Sequence, residues 1–537
     1  MHDILIRNGR VVNGEGSPCA LLDVAINGTG IAEIDEHIDG KAFRVIDAEG
    51  MVVCPGFIDI HSHSELALLA NPMAESKIMQ GVTTELVGNC GSSPAPLLGQ
   101  ALEETVRFAE KLHVDIDWSS LDEYFQRVAS QGTSVNVATM IGAETLRRSV
   151  VGVANVRASV EELARMNRLL AESMLQGAYG LSSGLIYAPG CYASTEELIS
   201  LASTSASMGG IYASHIRGEG TTVVQAVKEA IRIGREARSR VEISHFKVCG
   251  RTNWGRANEP IRLVEAAREE GVDVVFDVHP YTASSTSLDT ILPPWAREGD
   301  KKDVIARMRD PATRQRIKED IGKLTDDWEN DVAECGWENI VAVGFRGEAN
   351  KRFENRSVAE IADILGKNPA DTALDLLVDE DLQIDSVLHD MSENDVETMI
   401  RNPLAAIGSD GSAESPSGPM GKYAVHPRAY GTFPRVIRHY ALERKLFSTE
   451  EAIRKMTSMP AERMGLNDRG ILAEGYAADI VLFNPETIRD TATFESSQSF
   501  PEGILTVIVN GVITVDQGVH TRERAGKVLR HKPSIAR

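Results

Sequence analysis

Paired cysteines are missing from this chain. Its six cysteines (Cys19, Cys54, Cys90, Cys191, Cys249 and Cys335) are scattered through 537 residues without a CxxC pair, which argues against a disulfide framework. Positive charge is also scarce: 56 lysines and arginines face 78 acidic residues, a net charge of -22. That balance argues against a nucleic-acid backbone or an anionic membrane surface as partner. It leaves room for an anionic small substrate, because a local basic pocket can outweigh a distant net field. No apolar run is long enough to span a bilayer. No basic stretch precedes an apolar core near Met1, so no signal peptide is expected. Tandem repeats and low-complexity tracts are absent too. The expectation is a cytoplasmic protein with reduced thiols, no nucleic-acid partner and no membrane partner.

What is present is globular in composition, 42% hydrophobic and 25% charged, and the length predicts two or three domains. Residues 1–54 alternate in short runs such as Ile4-Leu5-Ile6 and Asp23-Val24-Ala25-Ile26, separated by Asn-Gly and Gly-Thr-Gly turns, which reads as a small β meander. The same texture returns over 470–537, with Ile480-Val481-Leu482-Phe483 and the hairpin signal Asn510-Gly511. Neither end has enough apolar strands for its own core, so both are expected to build one β-sandwich. Between them apolar runs alternate with helical stretches, the signature of βα units around a parallel sheet. The runs are 57–60, 84–87, 135–141, 180–186, 211–214, 241–244, 274–278 and 405–408. Eight runs are what a closed (β/α)8 barrel needs. The expected barrel therefore covers 55–294 and 357–469. The stretch 295–356, rich in alternating charge, lies in a gap far longer than one crossover requires and reads as an inserted lid.

Chemistry in such a barrel collects at the carboxyl ends of its strands. The first run ends His61-Ser62-His63, and side chains two apart on a strand share a face. The second leads to Cys90, the fifth to His215, the sixth to His245 and the eighth to Asp410. Each of these alone is more often a structural residue than a functional one. Four histidines, a cysteine and an aspartate at equivalent ends of five strands are hard to explain that way, since such groups are costly to bury unpaired. Imidazole, thiolate and carboxylate donors together suit zinc better than magnesium or calcium.

HSH after PGFIDI, the GNCG turn, SHIRGEG, ISHFK, SDG, HPRAYGTFPR and the terminal GILAEGYAADIVLFNPE resemble the amidohydrolase superfamily, and within it the D-aminoacylase (N-acyl-D-amino-acid deacylase) branch, over nearly the whole chain. In most of the superfamily a carbamylated lysine bridges two metals; this branch places a cysteine there, and Cys90 stands in that position. The resemblance implies that Cys90, His215 and His245 hold a tight zinc, and that His61, His63 and Asp410 form a weaker second metal position. It implies that Asp410 is also the catalytic aspartate. Lys247, Tyr281 and Arg428 match segments that grip the substrate carboxylate, and Tyr187 joins them as a substrate-binding candidate. Phe246 and His279 depart from the family's usual residues without touching a ligand. The activity so implied is zinc-dependent hydrolysis of N-acyl-D-amino acids, with a small-molecule substrate as the partner. A cyclic-amide hydrolase of the hydantoinase or dihydroorotase kind, or a dipeptidase, remains open on the same fold, and a non-enzymatic barrel scaffold is the third reading.

Overall fold

The alternating segments at the two ends meet in one nine-stranded sheet, in a computed structural model that describes residues 1–533. Val52–Pro55 is the join: it lies parallel to His2–Val11 on one side and antiparallel to Ile480–Phe483 on the other. Ile4, Ile26, Val53, Ile480 and Ile508 share one apolar cluster across this join. Burying an aliphatic side chain contributes roughly 1.5–3 kcal/mol, so each end depends on the other for its core.

All eight apolar runs are strands of the barrel. They are Phe57–Asp59, Val82–Val87, a third in two pieces (Asn136–Thr139 and Ile141–Gly142), Gly180–Gly184, Ile211–His215, Arg240–Ile243, Val274–Val278 and Ala405–Ile407. The break at Met140 lets the third strand pair with the second through its first piece and with the fourth through its second. Below the break, the C-terminal segment covers the open edge: Val137 N donates to Lys527 O at 2.9 Å and Leu529 N to Val137 O at 2.8 Å. The barrel closes between its last and first strands just past their ends. There Asp410 N donates to His61 O at 2.8 Å and His63 N to Gly411 O at 3.2 Å. Closure of the barrel and placement of three candidate ligands are thus one event.

The outer helices follow from local signals. Val160–Gln176 starts at Ser159, whose hydroxyl accepts from Glu162 N while the Glu162 carboxylate accepts from Ser159 N. This reciprocal cap contributes about 1 kcal/mol. Met166, Leu170, Ser173 and Met174, at helical spacing, face inward, and Gly177 ends the helix at φ 114°. Among the described residues no helix is long and apolar enough to cross a membrane.

The insertion is larger than 295–356. Ser284–Ser287, Ile340–Val343, Arg356–Ser357 and Asp385–Leu388 form a separate four-stranded sheet. Its own apolar core runs from Leu288 to Leu388. Both expected boundaries therefore move outward. Ser284-Ser285-Thr286-Ser287 carries no apolar residue and gives no strand signal, and its cross-strand partner lies a hundred residues away.

Candidate metal centre

Two ligand clusters share one corner. The donor atoms of His61, His63, Cys90 and Asp410 lie within 4.8 Å of one another, and so do those of Cys90, His215 and His245. Cys90 Sγ is 3.3 Å from His61 Nε2 and 3.3 Å from His245 Nε2. Asp410 Oδ1 is 3.0 Å from His63 Nε2 and 3.4 Å from His61 Nε2. All six candidates are brought together at one end of the barrel.

The backbone is bent to do this. Cys90, His245 and Asp410 adopt φ values of 48°, 34° and 52°, in the left-handed region that costs a non-glycine residue of order 1–3 kcal/mol. Three such residues at three strand ends turn side chains that would follow the strand direction inward to a common point.

Two of the imidazoles are aimed by a carboxylate behind them. His61 Nδ1 faces Asp277, 3.2 Å from Oδ1, and His245 Nδ1 faces Glu219 Oε1 at 3.0 Å. The carboxylate behind His61 fixes its proton on Nδ1 and leaves Nε2 to face the centre, while Glu219 and Lys247 together hold the His245 ring from behind. His215 is different. It is buried, and neither ring nitrogen has a hydrogen-bond partner among the described residues. Burial pushes its pKa down, so the ring is neutral with a free lone pair. An orphaned buried imidazole is costly unless something occupies that lone pair, and a metal at the shared corner does so. Burial pushes the Cys90 thiol up, but the charges of His245 and His61 outweigh it and hold the group well below its ordinary value. The nitrogen, sulfur and carboxylate donor set fits zinc.

Above the centre lies a cavity of about 480 Å³. Arg428, Lys247 and Tyr187 line it. Arg428 Nη1 is 2.6 Å from Asp410 Oδ2, close but not aligned as a hydrogen bond, and Nη2 donates to Ser285 O at 3.0 Å. Burial works against the Asp410 charge, but Arg428, His245 and His63 outweigh it and hold the carboxyl well below the usual range. Lys247 is committed elsewhere: its Nζ donates to Glu219 Oε1 at 2.8 Å and lies 2.6 Å from His245 Nδ1. Its contact with Glu219 makes it a brace for His245 rather than a free cation. Tyr187 packs edge-on to His215 and shares a hydrogen bond with Thr286 Oγ1 at 3.1 Å. Tyr281 is not part of the cavity wall. It is buried behind it, its hydroxyl donating to Pro427 O at 3.4 Å and its ring edge-on to His426. It supports the turn that carries Arg428, which corrects its expected place on the substrate.

Sequence reasoning missed Glu219, Asp277 and Lys77. Lys77 is fully buried and donates to Asp59 Oδ2 at 2.7 Å, Ser409 Oγ at 2.8 Å and Gly411 O at 2.8 Å, tying the first strand to the turn that carries Asp410. Asp277 did leave a signal, an acid inside the apolar run 274–278. Such a residue needs a buried partner.

The model of the Amidohydrolase family matches residues 44–515. The chain is 35% identical to a D-aminoacylase of Alcaligenes xylosoxydans xylosoxydans, covering 98% of this chain and 97% of the relative. It is 34% identical to the same organism's N-acyl-D-glutamate deacylase, covering 99% and 98%. Among solved structures, the N-acyl-D-glutamate deacylase of Bordetella bronchiseptica, complexed with zinc and a phosphonate mimic of the tetrahedral intermediate, superposes with a TM-score of 0.82 at 30% identity, covering 98% of this chain and 99% of that one.

Proposed function

The chain belongs to the amidohydrolase family, and from that premise we propose that it hydrolyses the amide bond of N-acyl-D-amino acids at a zinc centre, releasing a carboxylic acid and a free D-amino acid. One observation carries the reading: two ligand clusters meet at a cysteine, Cys90, with an unpartnered imidazole, His215, beside it. We assign the tight zinc to Cys90, His215 and His245 and a second, weaker position to His61, His63 and Asp410. A cysteine at the shared corner favours this reading over the cyclic-amide alternative, and the likeness to a D-hydantoinase, at 15% identity and a TM-score of 0.56, speaks for the fold alone.

When bound, zinc lowers the pKa of a bound water towards about 7 and polarises the amide carbonyl. The protein's own residues do the rest. Asp410 accepts a proton from the attacking water and hands it to the departing nitrogen, because an ionised carboxylate can donate only after it has collected a proton. Arg428 keeps Asp410 charged in the free enzyme and therefore keeps it a weak base. A substrate α-carboxylate that engages the unaligned Arg428 donor draws that charge away, and Asp410 becomes more basic as the amide arrives.

The test is a panel of N-acetyl-D- and N-acetyl-L-amino acids with the zinc-loaded enzyme. Turnover confined to the D series is expected; no turnover of either series, with zinc bound, overturns the proposal. The role of Arg428 is tested on an N-acetyl-D-amino acid and its matching carboxamide. Arg428→Met loses a charged hydrogen-bonded contact of about 1.5–3 kcal/mol, roughly 10- to 100-fold in kcat/KM on the acid, and much less on the carboxamide. Equal losses would leave Arg428 as the partner of Asp410 alone.

A further inference from the structure

The cavity wall carries a second group of charges that the amide chemistry does not use. Eight acidic and five basic side chains line the cavity. Four of the cations are already matched: Arg148 with Glu104 at 2.9 Å, Lys247 with Glu219 at 2.8 Å, Arg428 with Asp410 at 2.6 Å, and Lys301 with Asp381. Arg297 alone has no carboxylate within salt-bridge distance among the described residues, and its Nη1 donates to Ile186 O at 2.8 Å. Facing the same cavity are Glu329, Asp331 and Asp390, none of them paired with a cation among the described residues. Glu329 and Asp331 come from the insertion, and Asp390 from the segment just after its last strand.

Asp390 is the telling member. It is 2% exposed; its Oδ2 accepts from Ser284 Oγ at 2.9 Å, while Oδ1 has no hydrogen-bond partner among the described residues. A buried carboxylate oxygen without a partner, on a side chain that lines a cavity, is costly in the empty protein. Burial pushes all three acids up, and for Glu329 and Asp331 their acidic neighbours add to it. Glu329 and Asp331 stand well above the ordinary range, and Asp390 reaches about 6. A cation entering among them would restore their charge and fill the open acceptor.

We propose that Glu329, Asp331 and Asp390 form a subsite for a cationic substituent of the substrate, an ammonium or guanidinium group. The inference rests on the deacylase reading and narrows its substrate class. Arg297, one guanidinium beside three acids, is not enough to keep all three charged in the empty cavity. A side-chain carboxylate, as on N-acyl-D-glutamate, would meet three acids at close quarters and be disfavoured. The cation can belong to the amino-acid side chain or to the acyl group.

Full-length zinc-loaded enzyme is assayed for kcat/KM in two arms. The side-chain arm compares N-acetyl-D-lysine and N-acetyl-D-arginine with N-acetyl-D-norleucine and N-acetyl-D-glutamate. The acyl arm compares 4-aminobutyryl-D-norleucine with butyryl-D-norleucine. A preference for the cationic member of about tenfold or more is expected in one arm, and the arm that shows it identifies the source of the cation. Asp390→Asn and Asp331→Asn should each lower the cationic-to-neutral ratio, a readout that does not depend on how much of the variant is folded. Equal rates for cationic and neutral members in both arms, a preference for N-acetyl-D-glutamate, or an unchanged ratio in both variants overturns the subsite. Hydrolysis of none of these compounds, norleucine derivatives included, overturns the deacylase reading and the subsite with it.

Discussion

Cys90→Ala is expected to lose the tightly held zinc, and turnover is expected to fall by more than about 100-fold, beyond what loss of a residue behind a ligand costs. Among the described residues Cys90 is the one member of both ligand clusters. Its removal takes the anionic donor away from a point where His215 and His245 stand with ring centroids 4.3 Å apart. Two imidazoles alone are a poor zinc site, whose structural form takes four ligands and whose catalytic form takes three. Cys90→Ser should behave in the same way, since an alcohol gives up its proton to a metal far less readily than a thiol does. Elemental analysis of purified protein checks both variants. One zinc per chain together with wild-type turnover in Cys90→Ala would sink the shared-corner centre.

Asp410→Asn separates chemistry from metal binding. Asparagine tolerates the left-handed φ of 52° found at this position as aspartate does, so the turn between Ser409 and Gly411 is expected to hold. Cys90, His215 and His245 are untouched, and zinc content should stay near one per chain. Turnover should nonetheless drop by about 10²–10⁴-fold, because an amide can neither accept the water's proton nor return it. The substitution also releases Arg428 from its 2.6 Å ion pair. Substrate affinity should therefore hold or improve while kcat collapses. Near-normal kcat with zinc in place would remove Asp410 from the proton path. A rise in KM matching the fall in kcat/KM would instead make it a binding residue.

The candidate ligands were legible because a barrel converts chain order into position. A residue just past a parallel strand lies at the same end of the molecule as every other such residue, whatever its distance along the chain. His61, His63, Cys90, His215, His245 and Asp410 could thus be grouped from eight apolar runs. Substrate contacts obeyed no such rule. Tyr281 and Arg428 were equally plausible in sequence, yet one holds a turn from behind and the other reaches the cavity, because loop residues are placed by what they pack against. Lys247 follows its strand as expected, but Glu219, four residues beyond His215, captures its ammonium group.

By itself, the sequence determined the barrel, the pairing of the two chain ends and the grouping of six candidate ligands at one end of the barrel. These rest on periodicity and on the carboxyl ends of strands, which are local signals. Tertiary structure alone decided which charges meet. Asp277 turned towards His61, Lys77 reached under the turn of Asp410, Arg428 lay against Asp410, and the insertion's carboxylates faced a cavity that Cys90, His215 and Asp410 also line. The physical reason is one of range. Hydrophobic alternation is written into neighbouring residues, whereas the pairing of buried charges acts over a few ångströms between segments that only folding brings together.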